Sequence, residues 1–181
     1  MPLLLDELLA TPEDFAPFRD ISKNIDAARI DSFIREAQVR ELRSFLGDNL
    51  YLKLLVDFTP PETFGEQRFE DLFLGVEYDA GGGVSVRFNG LKSALIMWAY
   101  KRLLEHQQVS LTRYGVKSMQ TEYSEDTIAA KIRTEKINSD SFAKVYEADA
   151  VKFLRANRSD YPEWKPTETK LDKTGFQFKK L

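Results

Sequence analysis

The chain has no cysteine and one histidine, His106. The first absence excludes a disulfide framework, a thiolate nucleophile and any zinc site built on sulfur. The second leaves acid–base chemistry thinly supplied. A Ser–His–Asp triad would have to draw on His106, yet no serine sits in a Gly-x-Ser-x-Gly turn. No second histidine, HExxH run or EF-hand spacing offers metal ligands. A lone histidine near the end of a helix reads as a solvated or capping residue. Long apolar runs are also missing, none approaching the ~20 residues that span a bilayer. The opening Met-Pro-Leu-Leu-Leu-Asp-Glu is too short and too acidic for a signal peptide. The expectation is a soluble protein with no membrane contact, catalytic residues, metal or cofactor.

What is present suits a packed domain. The 181 residues are 43% hydrophobic and 30% charged, enough to build one core without a metal or disulfide staple. The net charge of −3 does not favour nucleic acid, which usually demands a basic face. The ends differ in sign. Residues 1–20 carry Asp6, Glu7, Glu13, Asp14 and Asp20 against Arg19; residues 165–181 carry five lysines against Glu168 and Asp172. Opposite ends suit head-to-tail or partner contacts, and equally suit plain solvated termini.

Helix signals recur along the chain. Thr11-Pro12-Glu13-Asp14 starts a short helix that Pro17 stops, with Phe15 and Phe18 pinning it to the core. Ile30, Phe33, Ile34, Ala37, Leu42, Phe45 and Leu46 form one apolar stripe, capped at Asn24 or Asp26 and ended at Gly47. Asp48 is read as the cap of the next helix, which carries Leu50, Tyr51, Leu54 and Leu55. Beyond the Thr59-Pro-Pro loop, residues 69–74 add a helix ending at Gly75. Residues 91–107 predict the most buried helix, 109–123 an extended connection, and Ser124 to about Asn157 one long helix. Ile128, Ile132, Phe142, Val145, Tyr146, Asp149, Phe153 and Leu154 are read as its inner stripe, and polar Thr134–Ser141 as a break or an overhang.

Two features look outward. Val76–Asp79 and Val84–Phe88 flank Gly81-Gly82-Gly83 and read as a hairpin, the alternation of Val84, Val86 and Phe88 predicting a half-buried strand. The glycines lie between strands, so they lack the strand-to-helix setting of a phosphate loop. Residues 165–181 are polar until Phe176, Phe178 and Leu181, which alternate beside Lys179 and Lys180. They read as a hook that adds to another subunit or as a loose terminus. Carboxylate pairs such as Glu70/Asp71, and the charges Arg35, Glu36, Glu41 and Arg43, read as caps and solvated faces.

Glu36-Ala37-Gln38, Glu41-Leu42, Phe45-Leu46-Gly47, Leu50-Tyr51 and Leu54-Leu55 resemble the opening helix pair of the head–tail connector (adaptor, or head-completion) proteins of tailed phages. Phe69, Leu72-Phe73-Leu74-Gly75, Tyr78, Phe88-Asn89-Gly90-Leu91-Lys92, Leu95, Trp98-Ala99-Tyr100 and Leu103 continue the likeness. Thr112, Gly115-Val116-Lys117 and Ser124-Glu125 complete it over roughly residues 20–160. The resemblance implies a homo-oligomeric ring, of twelve copies, at the virion neck between the portal protein and the tail or a second connector, made in the host bacterial cytoplasm. DNA would only pass through its lumen. No catalytic residues carry over.

The expected fold is therefore mainly α: an antiparallel helical bundle in residues 1–164, a short projecting β-hairpin near 76–88, and an extended C-terminal tail in 165–181. The expected partner-binding residues are Tyr78, Val84 and Val86 on the hairpin, with Phe176, Phe178, Lys179, Lys180 and Leu181 on the tail. A tail terminator or second adaptor ring is an alternative within that class. A small helical DNA-binding or regulatory module, using Lys101, Arg102, Arg113 and Lys117, is an alternative outside it.

Overall fold

In a computed structural model of the chain, residues 7–19, 25–60, 63–106, 109–112, 115–118 and 125–165 are described. Asp26, whose carboxylate accepts the Ala28 N–H at 3.1 Å, starts helix α1 (Ala27–Ala37). The apolar stripe then steps by five residues from Ala37 to Leu42, too far for an α-turn. The chain answers with a π-helical turn over Gln38–Leu42 before helix α2 (Arg43–Leu46). That turn keeps both Gln38 and Leu42 inside. The Gln38 amide accepts the Leu9 N–H at 2.8 Å and donates to the Glu7 carbonyl at 3.0 Å, so it supplies backbone partners to a segment without regular structure. The helix start expected at Thr11–Asp14 forms as a 3₁₀ turn, Pro12–Phe15, in which the Asp14 carboxylate accepts the Thr11 N–H at 2.7 Å, and Phe15 is buried.

Gly47, at φ 77°, ends α2 and is itself the cap of helix α3 (Asp48–Asp57). Asp48 is thus the first helical residue, and its carboxylate pairs with Arg43 at 2.7 Å instead of capping. A two-residue pair, β1 (Phe58–Thr59) with β2 (Thr63–Phe64), closes the loop before helix α4 (Gln67–Leu74). The hairpin follows as β3 (Val76–Asp79) and β4 (Ser85–Phe88).

Helix α5 (Gly90–His106) is buried nearly all round over its first ten residues, Lys92 excepted, and lies at the centre, packed against α1, α4 and α6. Its partner, helix α6 (Glu125–Ala156), has 32 residues, a length of about 48 Å at 1.5 Å per residue. The cross-links Glu105–Lys136, Lys101–Asp140 and Trp98–Glu147 step in opposite directions along the two helices, so they run antiparallel. The expected extended connection between them contains a second hairpin, β5 (Val109–Thr112) with β6 (Gly115–Ser118). The chain is mainly helical with short antiparallel strand pairs, as its periodicities predict.

The inner face of α6 departs from the sequence reading. Among its described side chains the buried ones are Ser139, Ala143, Ala150, Phe153 and Leu154, while Phe142 and Val145 are exposed; the Ile128 side chain lies outside the described residues. Small side chains let α5 and α6 approach closely, and the Ser139 hydroxyl is satisfied by the Glu135 carbonyl at 2.8 Å. Polar Thr134–Ser141 is accordingly neither a break nor an overhang. After α6, Tyr161 and Trp164 return to the core, and the Tyr161 hydroxyl donates to the Arg68 carbonyl at 2.5 Å.

Candidate interaction surfaces

The β3–β4 hairpin is held at its base by an aromatic group. The Phe153 ring stacks on Phe88 with centroids 4.5 Å apart and meets Tyr78 edge-on at 5.2 Å. Below the strands the backbone is clamped: Gly75 and Gly90 lie so close that a Cβ on Gly90 would come within 2.3 Å of the Phe73 carbonyl oxygen and one on Gly75 within 2.4 Å of that of Phe88. Cross-strand pairing of Val76 with Phe88 and Tyr78 with Val86 puts these four on one face. Along that face the chain leaves the core. Phe88 is 2% exposed, Val86 37%, and Val84, just past the strand end, 58%. The predicted half-buried strand is therefore buried only at its base, because no element covers its outer half. Tyr78 stays half-buried against Phe153. At the tip, the Asp79 carboxylate accepts the Gly81 N–H at 2.8 Å, and the Ala80 N–H donates to the Val84 carbonyl at 3.0 Å. The other expected contact residues, Phe176, Phe178, Lys179, Lys180 and Leu181, lie outside the described residues.

A second apolar surface was not anticipated. Leu52 and Val56 of α3 are 45% and 64% exposed. They border a groove of about 300 Å3, completed by Lys53, Asp57, Glu66, Arg68 and Phe69. One signal for it is visible in residues 50–56: Leu-Tyr-Leu-Lys-Leu-Leu-Val holds more apolar side chains than one buried stripe can use.

Charges at the helix interfaces are largely paired. Arg102 holds Glu41, with Nε–Oε2 3.2 Å, and Glu36 at 3.2 Å, so those acids are not a merely solvated face. Lys101 pairs with Asp140 at 2.6 Å. The hydrogen bond from Lys101, then that from Lys144, holds the Asp140 carboxyl below its usual range. Two of the four cations proposed for DNA contact are thus committed to carboxylates; Arg113 lies outside the described residues, as does the Lys117 side chain. His106 stacks on Phe33 at 5.2 Å, and its carbonyl accepts from Arg29 at 3.0 Å. Among the described residues no three acidic or histidine side chains gather as metal ligands, and no helix is long and apolar enough to cross a membrane.

The class this defines is a mainly helical domain with an outward hairpin, whose conspicuous surfaces are apolar. Residues 42–174 match the profile of a family of unknown function, DUF6712, and the chain belongs to that family. No curated protein and no solved structure matches it.

Proposed function

We propose that the chain is a structural subunit of a ring at the neck of a tailed-phage virion, joining the portal to the tail around the DNA exit channel. The observation that carries the reading is the apolar hairpin face that continues past the core through Val86 to Val84. A solvent-facing strand has no use for that alternation, whereas a neighbour's surface would cover it. The resemblance of the helices to connector proteins supplies the kind of neighbour: copies of the same chain side by side, then the portal and a tail component. Heterologous contacts of this kind close a ring when the rotation between copies divides a full turn. Overall acidity would let DNA pass without adhering to the wall.

Negative-stain microscopy and native mass spectrometry of the full chain, alone and with portal protein, test the proposal. Closed rings of copies are the expected result. Monomers under both conditions would overturn it.

A further inference from the structure

Two apolar features of the subunit stay uncovered, and they are of opposite shape. The groove beside α3 is concave, with Leu52 and Val56 exposed along it next to the buried Phe69 ring. The β3–β4 hairpin is convex, with Val84 and Val86 exposed on one face near its tip. We propose that the hairpin of one copy seats in the groove of the next, Val84 and Val86 against Leu52 and Val56. This rests on the ring reading and deepens it, because it names the surface that covers the hairpin.

Position makes the partner a second copy. The groove opens where α4 starts, at Glu66, Arg68 and Phe69, and the hairpin leaves where α4 ends, at Gly75. The close approach of Gly75 to Gly90 and the stack of Phe88 on Phe153 fix the hairpin's base, and no hairpin residue lines the groove. Knob and hole therefore occupy different places on one subunit, and among the described residues neither is filled from within it. A contact between them is heterologous: every copy gives one hairpin and receives one, the arrangement that closes a ring.

Charge decides what fits. Arg68 is held by Glu66 at 2.6 Å and by Glu163 at 3.3 Å, Glu163 also takes Lys53, and the Asp57 carboxylate accepts the Glu66 N–H at 2.9 Å. With these groups partnered inside the subunit, the groove has apolar surface left to cover and no spare charge. The hairpin face matches. Its register places Glu77 opposite Arg87 and Asp79 opposite Ser85, on the other side of the ribbon from Tyr78 and Val86. The tip between the strands is Ala80 and three glycines, with open space around each glycine. Seating this narrow, uncharged end in the groove buries no unpaired charge.

Area sets how the contact works. A buried aromatic side chain covers about 150–250 Å2, and four smaller, partly exposed aliphatic ones stay far below the roughly 1,200 Å2 of a stable protein pair. One seated hairpin does not hold two copies together. A closed ring gives every copy two such contacts, so assembly passes from monomer to ring with little dimer between.

The absence of cysteine lets the contact be trapped. Full chains carrying Val84→Cys or Val56→Cys, one of them tagged, are mixed at a concentration that gives rings and oxidised mildly. Val86→Cys with Leu52→Cys forms a second pair. All four positions are exposed, and thermal melts of the reduced proteins verify folding. The expected product is a cross-linked dimer of one tagged and one untagged chain. It should form at least tenfold faster than when Val145→Cys replaces the hairpin variant, Val145 being an exposed apolar residue of α6. A chain carrying both Val84→Cys and Val56→Cys should give a ladder of covalent multimers. Rings in which neither pair outpaces the Val145 control overturn the contact and leave the ring reading standing. Cross-linking within one chain, at a rate independent of concentration, also overturns it, since the hairpin then fills its own groove. Monomers at every concentration overturn both.

Discussion

Trp98 Nε1 donates a hydrogen bond to Glu147 Oε1 at 3.1 Å, fastening the middle of α5 to α6. Burial is what moves the Glu147 carboxyl, pushing it above its usual range; the Trp98 hydrogen bond and Lys144 oppose the shift, while Asp140 and Glu41 add to it. A carboxyl raised in the folded state contributes stability that is full below its unfolded value of about 4.3 and is lost as the pH climbs through the folded value. Glu147→Gln keeps the acceptor for Trp98 and cannot ionise. Its stability relative to the parent should therefore grow from pH 4 towards neutrality and then level off, in urea melts across that range. Parallel curves for the two proteins would show that Glu147 titrates as it does in water.

The hairpin takes its direction from the glycine clamp. At Gly90, φ is 78° and a Cβ would stand 2.3 Å from the Phe73 carbonyl oxygen; backbone on both sides leaves nothing flexible to yield. Gly90→Ala should cost more than about 2 kcal/mol, combining the left-handed penalty with a displaced chain. Gly82, at the hairpin tip, also has positive φ but open space around it, so Gly82→Ala should cost about 1 kcal/mol. Chemical denaturation of both variants checks the order. Equal losses would mean that the close approach at the base is relieved by a small shift.

Phe153, near the end of α6, holds the hairpin through Phe88 and Tyr78 and the segment after the helix through Tyr161. Phe153→Ala removes a buried ring and should destabilise the fold by about 3–5 kcal/mol. Phe142→Ala, at an exposed aromatic of the same helix, should change stability by no more than about 1 kcal/mol, reflecting mainly its contact with Arg19. A larger loss at Phe142 than at Phe153 would reverse the assignment of the inner face.

That last pair shows where a sequence is readable and where it is not. Helix ends were legible in part because capping is local chemistry: Gly47, Gly75 and Asp26, one of the two caps offered, mark boundaries by what their own side chain, or lack of one, permits, whereas Asp48, read as a cap, is the first helical residue. The π turn was present in the spacing as the five-residue step to Leu42, though three- and four-residue counting passes over it. The inner face of α6 was not legible, since hydropathy favours Phe142 and Val145, whereas close helix contact selects Ser139, Ala143 and Ala150 for their size. The candidate surface was half legible. Alternation identified Val84 and Val86, but how far the body extends along a strand depends on which elements cover it. The Leu52–Val56 groove and the burial of Glu147 arise from tertiary contacts that no local pattern encodes.

Val84 and Val86 can be tested apart from folding because the core ends at Phe88. Replacing both by Ser leaves Phe88 and the Phe153 stack in place and removes, within the subunit, mainly the cross-strand contact of Val86 with Tyr78, so stability should change by no more than about 1 kcal/mol. If the face is covered by a neighbour, the same replacement removes two apolar anchors, each worth about 1–2 kcal/mol when buried. Assembly measured by native mass spectrometry should then require roughly tenfold or more higher protein concentration, 1.4 kcal/mol being a factor of ten. Subtle loss of strand propensity cannot mimic this, since it acts on the hairpin within one subunit and is independent of concentration. Assembly at unchanged concentration, with unchanged melting, would leave the exposed valines without a partner and remove the observation on which the ring proposal stands.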